Sequence, residues 1–321
     1  MNSQIFSNMV MVITMIFGFA FVSSLKAEDE KSSGFPKVKH MIDTHIHIYD
    51  TGREDGVPWP PKDDHVLYKP HLPDEFAKVS RPTGLTGVVV VEASDRLEDN
   101  RWVLSLVKDD PFFVALVGNI DPYREDFADR LDELAKDKRF VGIRARGKEP
   151  IDFTNERVLG NLRILAKRGL SVDILANGQG ISAVKMIDRL ARDIPNLRIV
   201  VDHILGFNID GKAPEAEWVT AVEKLAENRN VLCKVSGLYQ RCVAQPAPQD
   251  TGHYRSVLDV LWKHLGKERL IYGSNWPCTK KSGDYESFVK LVYSYFSEKG
   301  QDACEHYFWM NANHVYGLGL E

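Results

Sequence analysis

The chain has 321 residues, 44% of them hydrophobic and 27% charged, the composition of an ordinary globular protein. A formal net charge of -4 with mixed signs supplies no basic field, which argues against a nucleic-acid partner and leaves a small molecule as the expected substrate. The length would fit two average domains, yet an α/β barrel commonly uses about 250 residues as one unit.

In chain order the first element is residues 9–22, MVMVITMIFGFAFV, an uncharged apolar run followed by small and polar residues and the charged stretch 28–31. A bilayer span needs about 20 apolar residues, so this run suits a secretory signal better. Residues 1–27 are therefore expected to be a signal peptide cut after Ser24 or Ala27, giving a periplasmic or secreted protein. Residues 28–38 read as a linker and 39–321 as one domain. No Lys or Arg precedes the run, which keeps an uncleaved anchor through 9–22 as the other reading. Membrane contact is expected only in that case, and oligomeric state is not legible.

Short β-branched runs then alternate with helix-like stretches. The strands are predicted at 40–47, 86–92, 114–120, 140–145, 170–175, 198–203, 231–235 and 270–273. Between them, segments such as 127–136, 156–167, 181–192, 219–227 and 255–264 repeat apolar residues every three or four positions, as Leu159, Leu162, Leu165 and Ala166 do. Runs such as GVVVV (87–91) suit strands buried on both faces. An open doubly wound sheet would carry a Gly-rich phosphate turn after its first strand, and here that turn is HIHIYD (45–50). Eight strands favour a parallel (β/α)8 TIM barrel. The stretch 49–80, rich in Pro and aromatics, is expected to be irregular, with Trp59 and Tyr68, beside His65 and His71, walling a substrate pocket.

Asp43-Thr44-His45-Ile46-His47 is the strongest local signal. Positions two apart on a strand point the same way, so His45 and His47 project together at the barrel mouth. Imidazoles are common ligands of divalent transition metals, and two on one strand offer adjacent coordination sites. Val200-Val201-Asp202-His203 closes the sixth strand and adds a third imidazole, while alternation points Asp202 away from it. No GxSxG elbow supplies a serine nucleophile. The cysteines, Cys233, Cys242, Cys278 and Cys304, form no CxxC pair. Cys242 and Cys278 both follow late strands, where either a bridge across the mouth or free thiols would fit.

The ordered set IDTHIH (42–47), GVVVVEA (87–93), VGIRAR (141–146), VDH (201–203), CKVSGL (233–238) and YGSNWP (272–277) resembles the amidohydrolase superfamily. The likeness is to the amidohydrolase-related branch that holds sugar-lactone and pyrone-dicarboxylate lactonases. It implies a barrel in which His45, His47 and His203 bind a catalytic divalent metal, zinc first, or polarise a carbonyl without one. It also implies that Arg144, with Arg146 beside it, grips a carboxylate or hydroxyl of the substrate. The family pattern reads Gly-Ser-Asp-Trp-Pro after the last strand, and Asn275 stands where its proton-accepting aspartate belongs. An amide is no general base near neutral pH, though it can orient a water. Glu92, Asp121, Asp173 or Asp202 could take the proton, a metal could acidify the water, or the site could bind without turnover. The expected function is hydrolysis of a small cyclic ester, with a metal-dependent decarboxylase or a non-catalytic binding barrel as alternatives.

Overall fold

The computed structural model describes residues 34–145, 151–176 and 180–321. The predicted signal or anchor and Arg146 lie outside the described residues. The compact unit that carries the fold runs Pro36–Glu321.

Eight parallel strands follow one another in sheet order: β1 Ile42–Ile46, β2 Gly87–Val91, β3 Phe113–Gly118, β4 Phe140–Ala145, β5 Ser171–Ile174, β6 Arg198–Val201, β7 Val231–Val235 and β8 Leu270–Tyr272. Every predicted strand is present, within a residue or two at its ends. Between and after them come the helices α1 Pro73–Ser80, α2 Glu98–Leu106, α3 Phe127–Leu134, α4 Glu156–Lys167, α5 Gly180–Asp193, α6 Ala216–Leu225, α7 Leu238–Arg241, α8 Gly252–Leu265, α9 Tyr285–Ser297, α10 Gln301–Glu305 and α11 Asn311–Tyr316. This is a (β/α)8 barrel. The stretch expected to be irregular ends in α1, where Pro73 opens the helix and Asp74 and Glu75 occupy its first turn, both favourable at a helix start.

Val89, Val91, Val117, Val200, Leu232 and Ile271 belong to one buried cluster, joined by Ala312, Val315 and Tyr316 of α11. The C-terminal helix thus completes the core that supports the barrel. All four cysteines are buried free thiols, so the bridge considered between Cys242 and Cys278 is not formed. The Cys242 thiol instead faces His253 Nε2 at 3.2 Å.

Closure between the first and last strands runs through buried polar groups. Asn275 N donates to His45 O and His47 N to Trp276 O, both at 2.8 Å. Asp43 Oδ1 accepts from Ser274 N at 2.9 Å and from His45 N at 3.0 Å, and Tyr285 Oη donates to Oδ2 at 3.1 Å. Burial raises the Asp43 pKa from 3.8 to about 6, although these hydrogen bonds oppose the rise. The protonated acid is therefore favoured by folding; its contribution is present below pH 3.8 and is lost as pH rises through about 6. Asp43→Asn keeps an acceptor for both amides and is expected to give a flatter stability profile across that window. Asp43→Ala leaves two buried amides unpaired and is expected to cost about 2–4 kcal/mol. Urea unfolding on either side of the window measures both.

Candidate active site

The pairing of β1 with β2 shifts register between Asp43 and Ile46, an irregularity of the kind that re-aims side chains beside active sites. His45 lies within it and His47 just after it, their rings edge to face with centroids 4.9 Å apart. His47 Nδ1 lies 3.1 Å from Val91 O. A carbonyl oxygen only accepts, so Nδ1 carries a proton, and in the neutral ring the lone pair is then on Nε2. Trp59 packs edge-on against this ring at 5.4 Å.

After β6 the structure overturns the expected divergence of Asp202 and His203. His203, Ile204 and Leu205 are all left-handed, with φ of 52°, 51° and 58°. That conformation breaks strand alternation, so the imidazole of His203 and the carboxylate of Asp202 reach one centre. His203 Nδ1 is 2.9 Å from Ser236 Oγ, and its ring centroid is 4.5 Å from that of His45. Gly237 makes this possible, since a Cβ there would stand 2.7 Å from His203 Nδ1.

Beneath the imidazoles lies a buried charge network that the sequence reading did not assemble. Lys234 of β7 is fully buried, with Nζ 2.5 Å from Asp173 Oδ2, 3.3 Å from Asp202 Oδ1 and 3.4 Å from His45 Nδ1. Tyr316 Oη reaches Asp173 Oδ2 at 2.9 Å from the C-terminal helix. Arg144 Nε donates to Asp202 Oδ2 at 3.1 Å, and its Nη1 lies 3.5 Å from Glu92 Oε1. Arg144 is thus first a counter-ion. A lysine inside the apolar run VLCKV was the available signal, because a strand buried on both faces admits a cation only with partners.

The network sets the protonation states. Burial would raise the Asp202 pKa, but Lys234, His45 and Arg144 hold it well below the usual carboxylate range. Burial raises Asp173 to about 6 despite Lys234. Burial drives His203 down to about 3; Asp202 opposes this, while Arg144 and Lys234 reinforce it. His45 is depressed by burial as well, against the pull of Asp202. Both rings are therefore neutral imidazoles near pH 7.

Above them opens a cavity of about 270 Å³ whose lining includes His47, Trp59, Arg144, His203, Gln240 and Asn275. Tyr68 is not in that lining; its backbone bonds to Asp64 O at 2.7 Å within the loop. His71 is buried and paired with Glu75 Oε2 at 2.8 Å, and His65 is exposed. Among the described residues lining the cavity there is no carboxylate. Of the four acids considered as replacement bases, Asp173 and Asp202 belong to the network, Glu92 pairs with Arg144, and Asp121 is exposed.

His45, Asp202 and His203 offer donor atoms within 4.8 Å of one another, and His45 Nε2 is buried without a hydrogen-bond partner. Two imidazoles and a carboxylate are a donor set suited to zinc. The expected set had His47 in place of Asp202, which alternation had sent elsewhere.

Eight parallel strands with three imidazoles at the mouth, beneath a polar cavity, define a (β/α)8 barrel with a candidate reaction site at its C-terminal face. The family model described as Amidohydrolase matches residues 42–318, and the chain belongs to that family of hydrolases. The chain is similar to the L-fucono-1,5-lactonase of Burkholderia ambifaria, with 31% identity over 285 residues, covering 86% of this chain and 95% of the relative. An amidohydrolase of Burkholderia multivorans solved with bound zinc shares the fold at a TM-score of 0.77 and 21% identity, covering 87% of this chain and 99% of its own. A dihydroxybenzoic acid decarboxylase of Polaromonas sp. JS666, solved with manganese, shares it at 0.61 and 14% identity, covering 88% and 98%.

Proposed function

We propose that the protein hydrolyses a small cyclic ester, a sugar or sugar-acid lactone. The observation that carries this reading is the convergence of His47 and His203, both on immobilised rings, upon a cavity whose described lining holds no carboxylate. Such a site provides only modest base strength, and an ester carbonyl is electrophilic enough to need no more. The lactonase relative supports the same substrate class.

In this scheme a water in the cavity attacks the lactone carbonyl carbon while the His47 Nε2 lone pair takes its proton. The neutral His203 ring, steadied by Ser236 and Gly237, stands beside the carbonyl oxygen. The acyl–oxygen bond of the ring then breaks, and the proton held by His47 passes to the leaving alkoxide. Arg144 and Trp59 line the cavity where the rest of the sugar would lie.

His45, Asp202 and His203 would hold a divalent metal, zinc, which supplies Lewis-acid polarisation of the carbonyl when bound. Asp202 already shares its charge with Arg144 and Lys234, so the ion is expected to be held weakly. Export rests on the apolar run 9–22 and the polar stretch after it.

A pH-stat screen of aldonolactones tests the reading, with saturable turnover of at least one member as the expected result. The rate should fall after dialysis against a chelator and return with zinc. No turnover above background by any member would remove the lactonase reading, and a rate indifferent to chelation would remove the metal.

A further inference from the structure

Asn275 occupies an unusual place for a water-orienting group. Its backbone is left-handed, with φ of 60°, a region that asparagine enters more readily than most residues. Its amide N–H is fixed on His45 O, so the side chain starts from a rigid point over the cavity. A carboxylate there would present two equivalent oxygens. A carboxamide presents one acceptor and one NH2 donor, and only one of its two orientations offers an acceptor to water.

The neighbour that its carboxamide bonds is Gln240. It lies on α7, the short helix that begins immediately after Gly237 and closes with Arg241 N on Gly237 O at 2.9 Å. The glycine that admits the His203 ring therefore also sets the position of this glutamine. Asn275 Nδ2 donates to Gln240 Oε1 at 3.2 Å. Gln240 Nε2 is buried without a hydrogen-bond partner, and both residues line the cavity.

We propose that Gln240 is a positioning residue that locks the Asn275 amide with Oδ1 toward the attacking water. The two amides then form one unit. Oδ1 of Asn275 accepts from the water, while Gln240 Oε1 holds the Asn275 NH2 away from it. The pair keeps the orienting part of the work assigned to an aspartate in the family pattern and leaves the proton to an imidazole. This rests on the hydrolytic reading of the site, and it accounts for how an asparagine can serve there.

The test is a cycle of Gln240→Leu and Asn275→Asp, read by steady-state kinetics on a lactone and by side-chain amide NMR. In the wild-type background Gln240→Leu should lower kcat about ten-fold, more than it alters KM, because the amide is released to turn its NH2 toward the water. In the Asn275→Asp background the same change should cost several-fold less, since a carboxylate has no wrong orientation. An equal penalty in both backgrounds, or none in the wild type, would overturn the assignment.

The NMR arm needs no turnover. The Asn275 side-chain NH2 pair, identified by its loss in Asn275→Asp, should exchange slowly with solvent and exchange markedly faster in Gln240→Leu. Unchanged exchange overturns the proposal even if the enzyme is active. Slow exchange in a protein inert toward every lactone would support the amide lock while removing the hydrolytic reading. Gln240→Met, similar in length and lacking both hydrogen-bonding groups, repeats both measurements should the leucine variant fold poorly.

Discussion

Lys234→Met is expected to destabilise the protein by about 3–5 kcal/mol, because it leaves buried acids without their cation. Lys234 Nζ is fully enclosed between Asp173 at 2.5 Å and Asp202 at 3.3 Å. Both carboxylates are themselves buried away from solvent. Asp202 would retain Arg144, whereas Asp173 would keep, among the described residues, the Tyr316 hydroxyl. The pairing of Asp173 with Asp202 through one ammonium then becomes a like-charge contact in a medium of low polarisability. The resulting protein should bind a proton at Asp173 more tightly, and its loss of stability should grow as pH rises. Asp173→Asn in the same chain removes the orphaned charge and should recover a substantial part of the deficit. Guanidinium unfolding of the two single variants and the double variant gives the three free energies. A Lys234→Met protein within about 1 kcal/mol of the wild type would show that the network carries little of the stability.

The network also explains which parts of the site could be read from the sequence. The strands were legible because parallel barrel strands are short apolar runs separated by helical periodicity. His45 and His47 were legible because their spacing matches strand alternation. Asp202 was misplaced for the complementary reason: of four consecutive left-handed residues, His203 to Gly206, only the last is a glycine in a stretch reading DHILG. Gly206 marks the end of the turn, whereas histidine, isoleucine and leucine do not announce its start. Arg144, Asp173 and Lys234 each interrupt an apolar strand, yet their partnership depends on strand register, which pairs Arg144 with Asp173 across β4 and β5. Tyr68 shows the limit of reading loops by composition. An aromatic in the first loop can face the cavity, as Trp59 does, or lie outside its lining, as Tyr68 does, and only the path of the chain decides.

His47→Gln should lower kcat by about 10²–10⁴-fold, the usual range for removing a positioned proton acceptor. The expectation follows from elimination within the cavity as much as from the ring itself. Asp202 is held ionised by its cations, Asp173 is committed to Lys234, and Asn275 cannot accept a proton near neutral pH. His203 faces the same cavity, but its pKa of about 3 makes it a weak base. His47, with Nδ1 donating to Val91 O, presents its lone pair from a fixed ring. Glutamine retains an amide that can hydrogen-bond but removes that basic nitrogen. If the base is the missing element, restoring a carboxylate nearby should compensate. Asn275→Asp introduced into the His47→Gln protein is therefore expected to recover part of kcat, with a new dependence on pH reflecting ionisation of that aspartate. In a wild-type background the same aspartate competes with an imidazole already in place and should yield much less. Steady-state kinetics with burst-phase analysis separates these effects on chemistry from changes in product release. Retention of kcat within about three-fold in His47→Gln would exclude His47 as the proton acceptor. A large loss that Asn275→Asp leaves untouched would assign His47 to polarising or holding the substrate instead.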